Sequence, residues 1–218
     1  MLPQEEGVCL RCLGRLPRVH AEQHDNAVEA RLVGRFPFEH ATSFCYYTRP
    51  GSMSSAVMQA KYADRPWINT HMARLFAREL SLFADPPSGA APASSQWPFD
   101  IDVIVPIPVH PLRLMWRGYN QAAAVAEGLR DVWHLPIESR CLIRSRYLRT
   151  QVGLSGQERI LHEAGSFTVR HPQRLASRHV LLVDDVLTTG STMVAAADAL
   201  LSAVPGVRIS VLTLAMAE

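Results

Sequence analysis

From Phe99 onward, hydrophobic positions fall into runs that alternate between two patterns. Asp102 to Val109 is almost wholly apolar and reads as a strand, and Gln121 to Val132 is Ala-rich and amphipathic and reads as a helix. Glu138 to Arg144 and Gly165 to Arg170 read as short strands. His179 to Asp184 is a nearly continuous apolar strand, Met193 to Val204 a helix, and Val207 to Ala215 a final strand. Uninterrupted Val/Leu/Ile runs suit strands buried on both faces, so the pattern predicts an α/β fold with a mostly parallel sheet and flanking helices.

Upstream, Ala41 to Thr48 is β-branched and aromatic enough for a strand. Met72, Leu75, Phe76, Leu80 and Phe83 recur at helical spacing within Trp67 to Phe83. Asp85 to Pro98 holds four prolines in fourteen residues and reads as a linker. Three regions are therefore expected: a small N-terminal region over 1–40, a strand–helix segment with its linker over 41–98, and the main α/β core over 99–218.

Composition narrows the function classes. Hydrophobic residues make up 48% and charged residues 19%, the range of a globular chain rather than a disordered one. A net charge of +2 is far from the strong excess of a nucleic-acid-binding domain. The N-terminus lacks the basic and apolar regions of a secretion signal, and no apolar stretch approaches a membrane span. Cysteines at 9, 12, 45 and 141 make no dense framework, so reduced thiols and a cytoplasmic location are expected. Among 22 basic residues there is a single Lys, Lys61.

The segment most specific for chemistry is Val180-Leu-Leu-Val-Asp184-Asp185-Val-Leu-Thr188-Thr189-Gly190-Ser191-Thr192, running directly into a helix. A buried strand delivers two carboxylates to its carboxyl end, where open α/β sheets bind ligands. The Thr/Gly/Ser loop then offers hydroxyls, free backbone N–H groups and the positive end of a helix to a phosphate dianion. Gly190 allows close backbone approach. Carboxylates for vicinal hydroxyls beside a phosphate cradle describe a ribose 5-phosphate. The chain has no G-x-x-x-x-G-K-[ST], which excludes a P-loop ATPase, and its one Lys lies far upstream of the position a receiver domain needs.

Residues 180–192 resemble the signature by which type I phosphoribosyltransferases bind 5-phosphoribosyl 1-pyrophosphate (PRPP). Val105-Pro-Ile-Pro-Val-His110 through Arg117-Gly118-Tyr119-Asn120-Gln121 resembles a conserved segment of the ComF family. Thr150-Gln151, Gln157-Glu158-Arg159 and Phe167 resemble its third block, and Gln59-Ala60-Lys61-Tyr62 is similar to its Lys-Tyr block. The resemblance covers most of 45–218 and implies a type I phosphoribosyltransferase fold. It further implies that Asp184 and Asp185 bind the ribose hydroxyls, directly or through Mg²⁺-bound water, and that Thr188, Thr189, Gly190, Ser191 and Thr192 hold the 5-phosphate. The turn from His110 to Gly118, with Arg117, would be a pyrophosphate loop. Arg144 to Arg159, with Arg146 and Arg149, would form a lid over the reacting centre. Residues 111–159 carry eight Arg against four acids, a cationic excess that suits pyrophosphate, with about half of these Arg expected to be solvated surface residues.

Cys9-x-x-Cys12 is half of the zinc ribbon found in many ComF relatives, and the second pair is missing. His20 and His24 would complete a zinc set only at a spacing shorter than the common finger, which favours a metal-free remnant. Cys45 and Cys141 read as small buried hydrophobes, and Trp116 as a packing anchor rather than a platform for a base. Two functions follow from the resemblance. One is Mg²⁺- and PRPP-dependent transfer of ribose 5-phosphate to a nitrogenous acceptor, with release of pyrophosphate. The other is a non-catalytic PRPP-, nucleotide- or single-stranded-DNA-binding accessory of competence and DNA uptake, working beside an uptake helicase. The acceptor and the oligomeric state are left open.

Overall fold

Four parallel strands make the centre of the computed structural model, which describes residues 13–19, 26–47, 65–82, 100–145 and 165–217. The strands are β1 (Ala41–Tyr47), β2 (Val103–Pro106), β3 (Leu142–Arg144), β4 (Phe167–Val169), β5 (His179–Leu187) and β6 (Arg208–Ala217). The main sheet runs β1-β6-β5-β2, all parallel, and β3 and β4 form a separate antiparallel ribbon. The helices are α1 (Ala27–Leu32), α2 (Pro66–Leu82), α3 (Pro111–Arg117), α4 (Gln121–Trp133) and α5 (Ser191–Ala203).

The apolar run of β5 is continuous because it feeds two core layers. Val180 and Leu182 pack with α1, α5 and the β3–β4 ribbon, whereas Leu181 and Val183 pack with α2 and α4. α2 buries Ile68, Met72, Phe76 and Leu80, one residue per turn, against Val125, Leu129 and Trp133 of α4. The two helices approach so closely at Gly128 that a Cβ there would lie 2.3 Å from the Thr70 carbonyl oxygen. Phe44 of β1 stacks on Phe76 at 4.8 Å, and Arg18 covers the Phe44 ring at 4.2 Å while pairing with Glu79 at 3.0 Å. Both α2 and β1 thus share the core with the residues beyond 99, and Val28, Leu32 and Phe36 of the N-terminal region join the opposite layer.

Several elements differ in extent from the sequence expectation. β2 spans only Val103–Pro106 because Pro106 and Pro108 have no N–H to give the ladder, though Ile107 N still donates to Val183 O at 2.9 Å. The strand expected over 138–144 is confined to Leu142–Arg144. β5 runs past the acidic pair to Leu187, because β6 extends to Ala217 and keeps Val186 and Leu187 paired with Ala215 and Met216. The carboxylates therefore sit inside the last turns of the ladder and not beyond its end. Among the described residues no helix is long and apolar enough to cross a membrane. The linker 85–98 and the Lys61-Tyr62 pair lie outside the described residues.

Candidate functional site

Because the four strands are parallel, their carboxyl ends share one edge, the edge at which open α/β sheets bind ligands. Asp184 and Asp185 stand there half-buried, and Asp184 Oδ1 accepts the Asp185 N–H at 2.8 Å. In register beside Asp184 lies Thr213, whose hydroxyl donates to Ser43 Oγ at 3.0 Å, so a buried polar row crosses the sheet at the level of the acidic pair.

The 188–190 turn leads into α5 through Gly190, which is left-handed at φ 77°, ψ 2°. No side chain caps α5, and its first turn carries no acidic residue. Thr189 Oγ1 and Ser191 Oγ lie 2.7 Å apart, with only a long 3.5 Å contact from Ser191 N to Thr189 Oγ1. The regular bonding of α5 begins at Val194 N, which donates to Gly190 O at 2.9 Å. The arrangement leaves the amino end of α5 without a side-chain cap, with the Thr189 and Ser191 hydroxyls beside it, which is a geometry that can take an anion.

Two side chains back this turn from α1 and the loop after it. Arg31 Nη1 donates to Thr188 O at 2.8 Å and to Ala217 O, and Arg35 Nη1 donates to Thr189 O. Arg35 Nη1 fills the space beside Gly190 and would lie 2.8 Å from a Cβ there. Burial, followed by the neighbouring charge of Arg31, lowers the Arg35 pKa, and Asp198 of α5 opposes both. Burial in turn raises the Asp198 carboxyl against the pull of Arg35. The sequence reading assigned neither arginine to the site. The available signal was Asn26-x-x-Glu29 with Val28 and Leu32 four residues apart and Gly34 after them, which marks a helix start and stop. Asn26 does cap α1, accepting from Val28 N and Glu29 N.

The segment 110–118, expected to be a turn, holds a short helix, α3. His110 Nδ1 caps it by accepting Leu112 N–H at 3.2 Å, Pro111 opens it, and Gly118 closes it at φ 75°. Asn120 then ties the end of β2 to α4: its Nδ2 donates to Ile107 O at 3.1 Å and its Oδ1 accepts Ala122 N–H at 3.1 Å. Trp116 is not a packing anchor, as it is 94% exposed, and Met115 beside it is 80% exposed. Both lie on a helix face that meets neither core layer. The side chain of Arg117, and all of Arg146 and Arg149, lie outside the described residues. Arg144, the first residue of the expected lid, belongs to β3 and lies over the Phe167 ring at 5.2 Å.

Cys45 and Cys141 are free and buried. Burial pushes the Cys45 thiol up to about 12 and raises that of Cys141 as well, so both behave as small apolar groups. The zinc set of Cys9, Cys12, His20 and His24 lies outside the described residues. No group of three metal-ligating side chains occurs among the described residues. A carboxylate pair alone fits Mg²⁺, which keeps several waters and is commonly held by one or two carboxylates together with substrate phosphates.

An acidic strand end followed by a glycine turn and an uncapped helix is the arrangement expected of a phosphoribosyltransferase-like fold. Comparison with known proteins agrees: residues 98–217 match the phosphoribosyl transferase domain family. The chain belongs to that family, within the ComF group. It is 29% identical to "Competence protein F" of Haemophilus influenzae, over 68% of this chain and 60% of that protein. It is 31% identical to "DNA utilization protein YhgH" of Escherichia coli K12, over 76% of this chain and 67% of that protein. A glutamine PRPP amidotransferase from B. subtilis, complexed with ADP and GMP, overlaps 71% of this chain and 30% of its own at 18% identity and a TM-score of 0.42, too distant to add to the family match.

Proposed function

We propose that the chain binds PRPP with Mg²⁺ at the carboxyl edge of the sheet and transfers its ribose 5-phosphate to a nitrogenous acceptor, releasing pyrophosphate. The observation that carries this reading is the direct succession of Asp184-Asp185, the left-handed Gly190 turn and the uncapped amino end of α5. The carboxylates accept hydrogen bonds from the ribose 2- and 3-hydroxyls. Backbone N–H groups and hydroxyls of residues 188–192 hold the 5-phosphate, and the helix end favours its charge. In the reaction the bond from the anomeric carbon to pyrophosphate breaks, a bond to the acceptor nitrogen forms, and the acceptor gives up a proton. Charge develops on the sugar ring as an oxocarbenium-like state, while the fixed ribose keeps the anomeric carbon aligned between leaving group and acceptor. Mg²⁺, when bound, would neutralise the departing pyrophosphate. Arg117, Arg146 and Arg149 are the cations assigned to pyrophosphate in this reading, and the setting is cytoplasmic nucleotide chemistry.

A second reading keeps the ligand and drops the transfer: the chain would be a PRPP- or nucleotide-dependent accessory of DNA uptake that touches single-stranded DNA or an uptake helicase. The names of the curated relatives and the bare Trp116 at the end of α3 favour it. Stacking of bases on an exposed aromatic, with steep salt dependence, is its signature.

Calorimetric titration with PRPP, with and without Mg²⁺, tests the shared core of both readings. Micromolar, Mg²⁺-dependent binding that disappears in the Asp184→Asn/Asp185→Asn variant is the expected result. A folded wild-type protein that binds no PRPP contradicts both. Release of pyrophosphate on adding a panel of nitrogenous bases separates the transferase from the accessory.

A further inference from the structure

We propose that Arg31 and Arg35 are positioning residues that set the peptide orientations of the phosphate loop, an assignment that rests on reading residues 188–192 as a phosphate cradle. In a trans peptide the carbonyl and the following N–H point to opposite sides of the chain. Thr188 O shares its peptide with Thr189 N–H, and Thr189 O shares its peptide with Gly190 N–H. Arg31 holds the first carbonyl and Arg35 the second, both from the α1 side. The N–H groups of Thr189 and Gly190 are thereby turned away from α1, to the side where a phosphate is held.

The need for such a brace follows from Gly190. Glycine at φ 77° has little intrinsic preference among backbone states, so the peptide before it turns over at small cost unless something holds its carbonyl. A phosphate cradle made of backbone N–H groups loses its shape if one peptide flips. The two arginines are themselves fixed from elsewhere. Asn26 Nδ2 donates to Ala41 O at 2.9 Å and Glu29 accepts Ala41 N–H at 3.2 Å, so α1 is tied to the first residue of β1. Val28 and Leu32 are fully buried beneath it. Arg31 also reaches Ala217 O, which joins the turn to the end of β6 through one nitrogen.

Arg35 carries a further mark of function over stability: its buried Nη2 has no hydrogen-bond partner among the described residues. A guanidinium placed only for stability would use its fork, because a buried unsatisfied donor is costly. Here the charge stands behind the loop with only partial compensation from Asp198, so part of its field falls on the anion side.

The test uses ribose 5-phosphate and inorganic pyrophosphate as separate calorimetric probes of wild type, Arg31→Met, Arg35→Met and the corresponding Lys variants, with each melting temperature measured. The phosphate loop serves the first probe and not the second. Arg35→Met should weaken ribose 5-phosphate about 10- to 100-fold, in the range that slight misplacement of a binding group produces, with pyrophosphate affinity held. Arg31→Met should act in the same direction, and Arg35→Lys, which keeps one charged donor for Thr189 O, should recover part of the loss. Three results overturn the assignment: folded Met variants that bind ribose 5-phosphate as wild type does, equal losses for both probes, or losses that follow the melting temperature alone. A wild-type protein that binds neither probe overturns the cradle reading itself, and is distinguished from these by requiring no variant.

Discussion

Replacing Gly190 by Ala tests the turn at its tightest point. At φ 77° an L-residue with a Cβ loses about 1–2 kcal/mol relative to glycine. The added Cβ also meets Arg35 Nη1 at 2.8 Å and Leu32 Cδ2 at 3.0 Å. Both are ends of flexible side chains, so Arg35 swings away and Thr189 O loses a charged donor, which costs about 1.5–3 kcal/mol when no water replaces it. The reduced freedom of the unfolded chain returns about 0.4–1 kcal/mol. The sum is a loss of roughly 2–4 kcal/mol for Gly190→Ala. Gly165 supplies the control, being left-handed at φ 69° with nothing within 4 Å of a Cβ among the described residues. Gly165→Ala should therefore lose only about 1 kcal/mol, the dihedral cost less the unfolded-state gain. Urea denaturation of both variants gives the difference directly, provided the slope m is unchanged. Ribose 5-phosphate affinity should fall in Gly190→Ala and hold in Gly165→Ala. Equal destabilisation of the two, with ligand affinity kept in both, refutes the seating of Arg35 against the turn.

Two further outcomes follow from the packing and the buried histidine. Gly128→Ala places a Cβ 2.3 Å from the Thr70 carbonyl oxygen and 2.7 Å from Ala73 Cβ, so α2 and α4 must separate. Overpacking of about 1–3 kcal/mol outweighs the roughly 1 kcal/mol gained in helix propensity, and an unchanged urea midpoint would contradict the close crossing. His179 is buried between Asp100 O at 2.7 Å and Ser210 Oγ at 2.9 Å, and burial lowers its pKa below the ordinary 6.5. The unfolded chain then takes up the proton first, so the stability this group contributes is complete above pH 6.5 and declines as pH falls below that value toward the folded pKa. The difference in urea stability between wild type and His179→Gln should shrink over that window, and a difference independent of pH would contradict it.

The sheet was legible in the sequence because a strand buried on both faces needs an unbroken apolar run, and Val180–Val183 of β5 supplies one. The candidate acidic pair and turn stood out for a related reason: two adjacent carboxylates interrupt the apolar run of β5, and a Thr/Gly/Ser run follows directly at the start of α5. What stayed hidden was either long-range or set by exposure. Arg31 and Arg35 reach carbonyls 157 and 154 residues away, a distance over which local pattern carries no information. The helix α3 was missed because it presents Met115 and Trp116 to solvent, so no apolar periodicity against a core announces it. Its local signals, Pro111 at the start and Gly118 after the end, were present. The reach of β5 past Asp185 depends on its partner β6, whose length no reading of residues 179–187 alone reveals.

The central claim is that the carboxyl edge around Asp184, Asp185 and residues 188–192 seats a ribose 5-phosphate. A crystal structure of the wild-type protein with ribose 5-phosphate measures this most directly. The account predicts the phosphate against the backbone of residues 189–192 and the sugar hydroxyls toward the Asp184–Asp185 pair. A phosphate bound elsewhere, such as at Arg74 and Arg78 in the cleft of about 310 Å³ between α2 and α4, with the edge left empty, would contradict it.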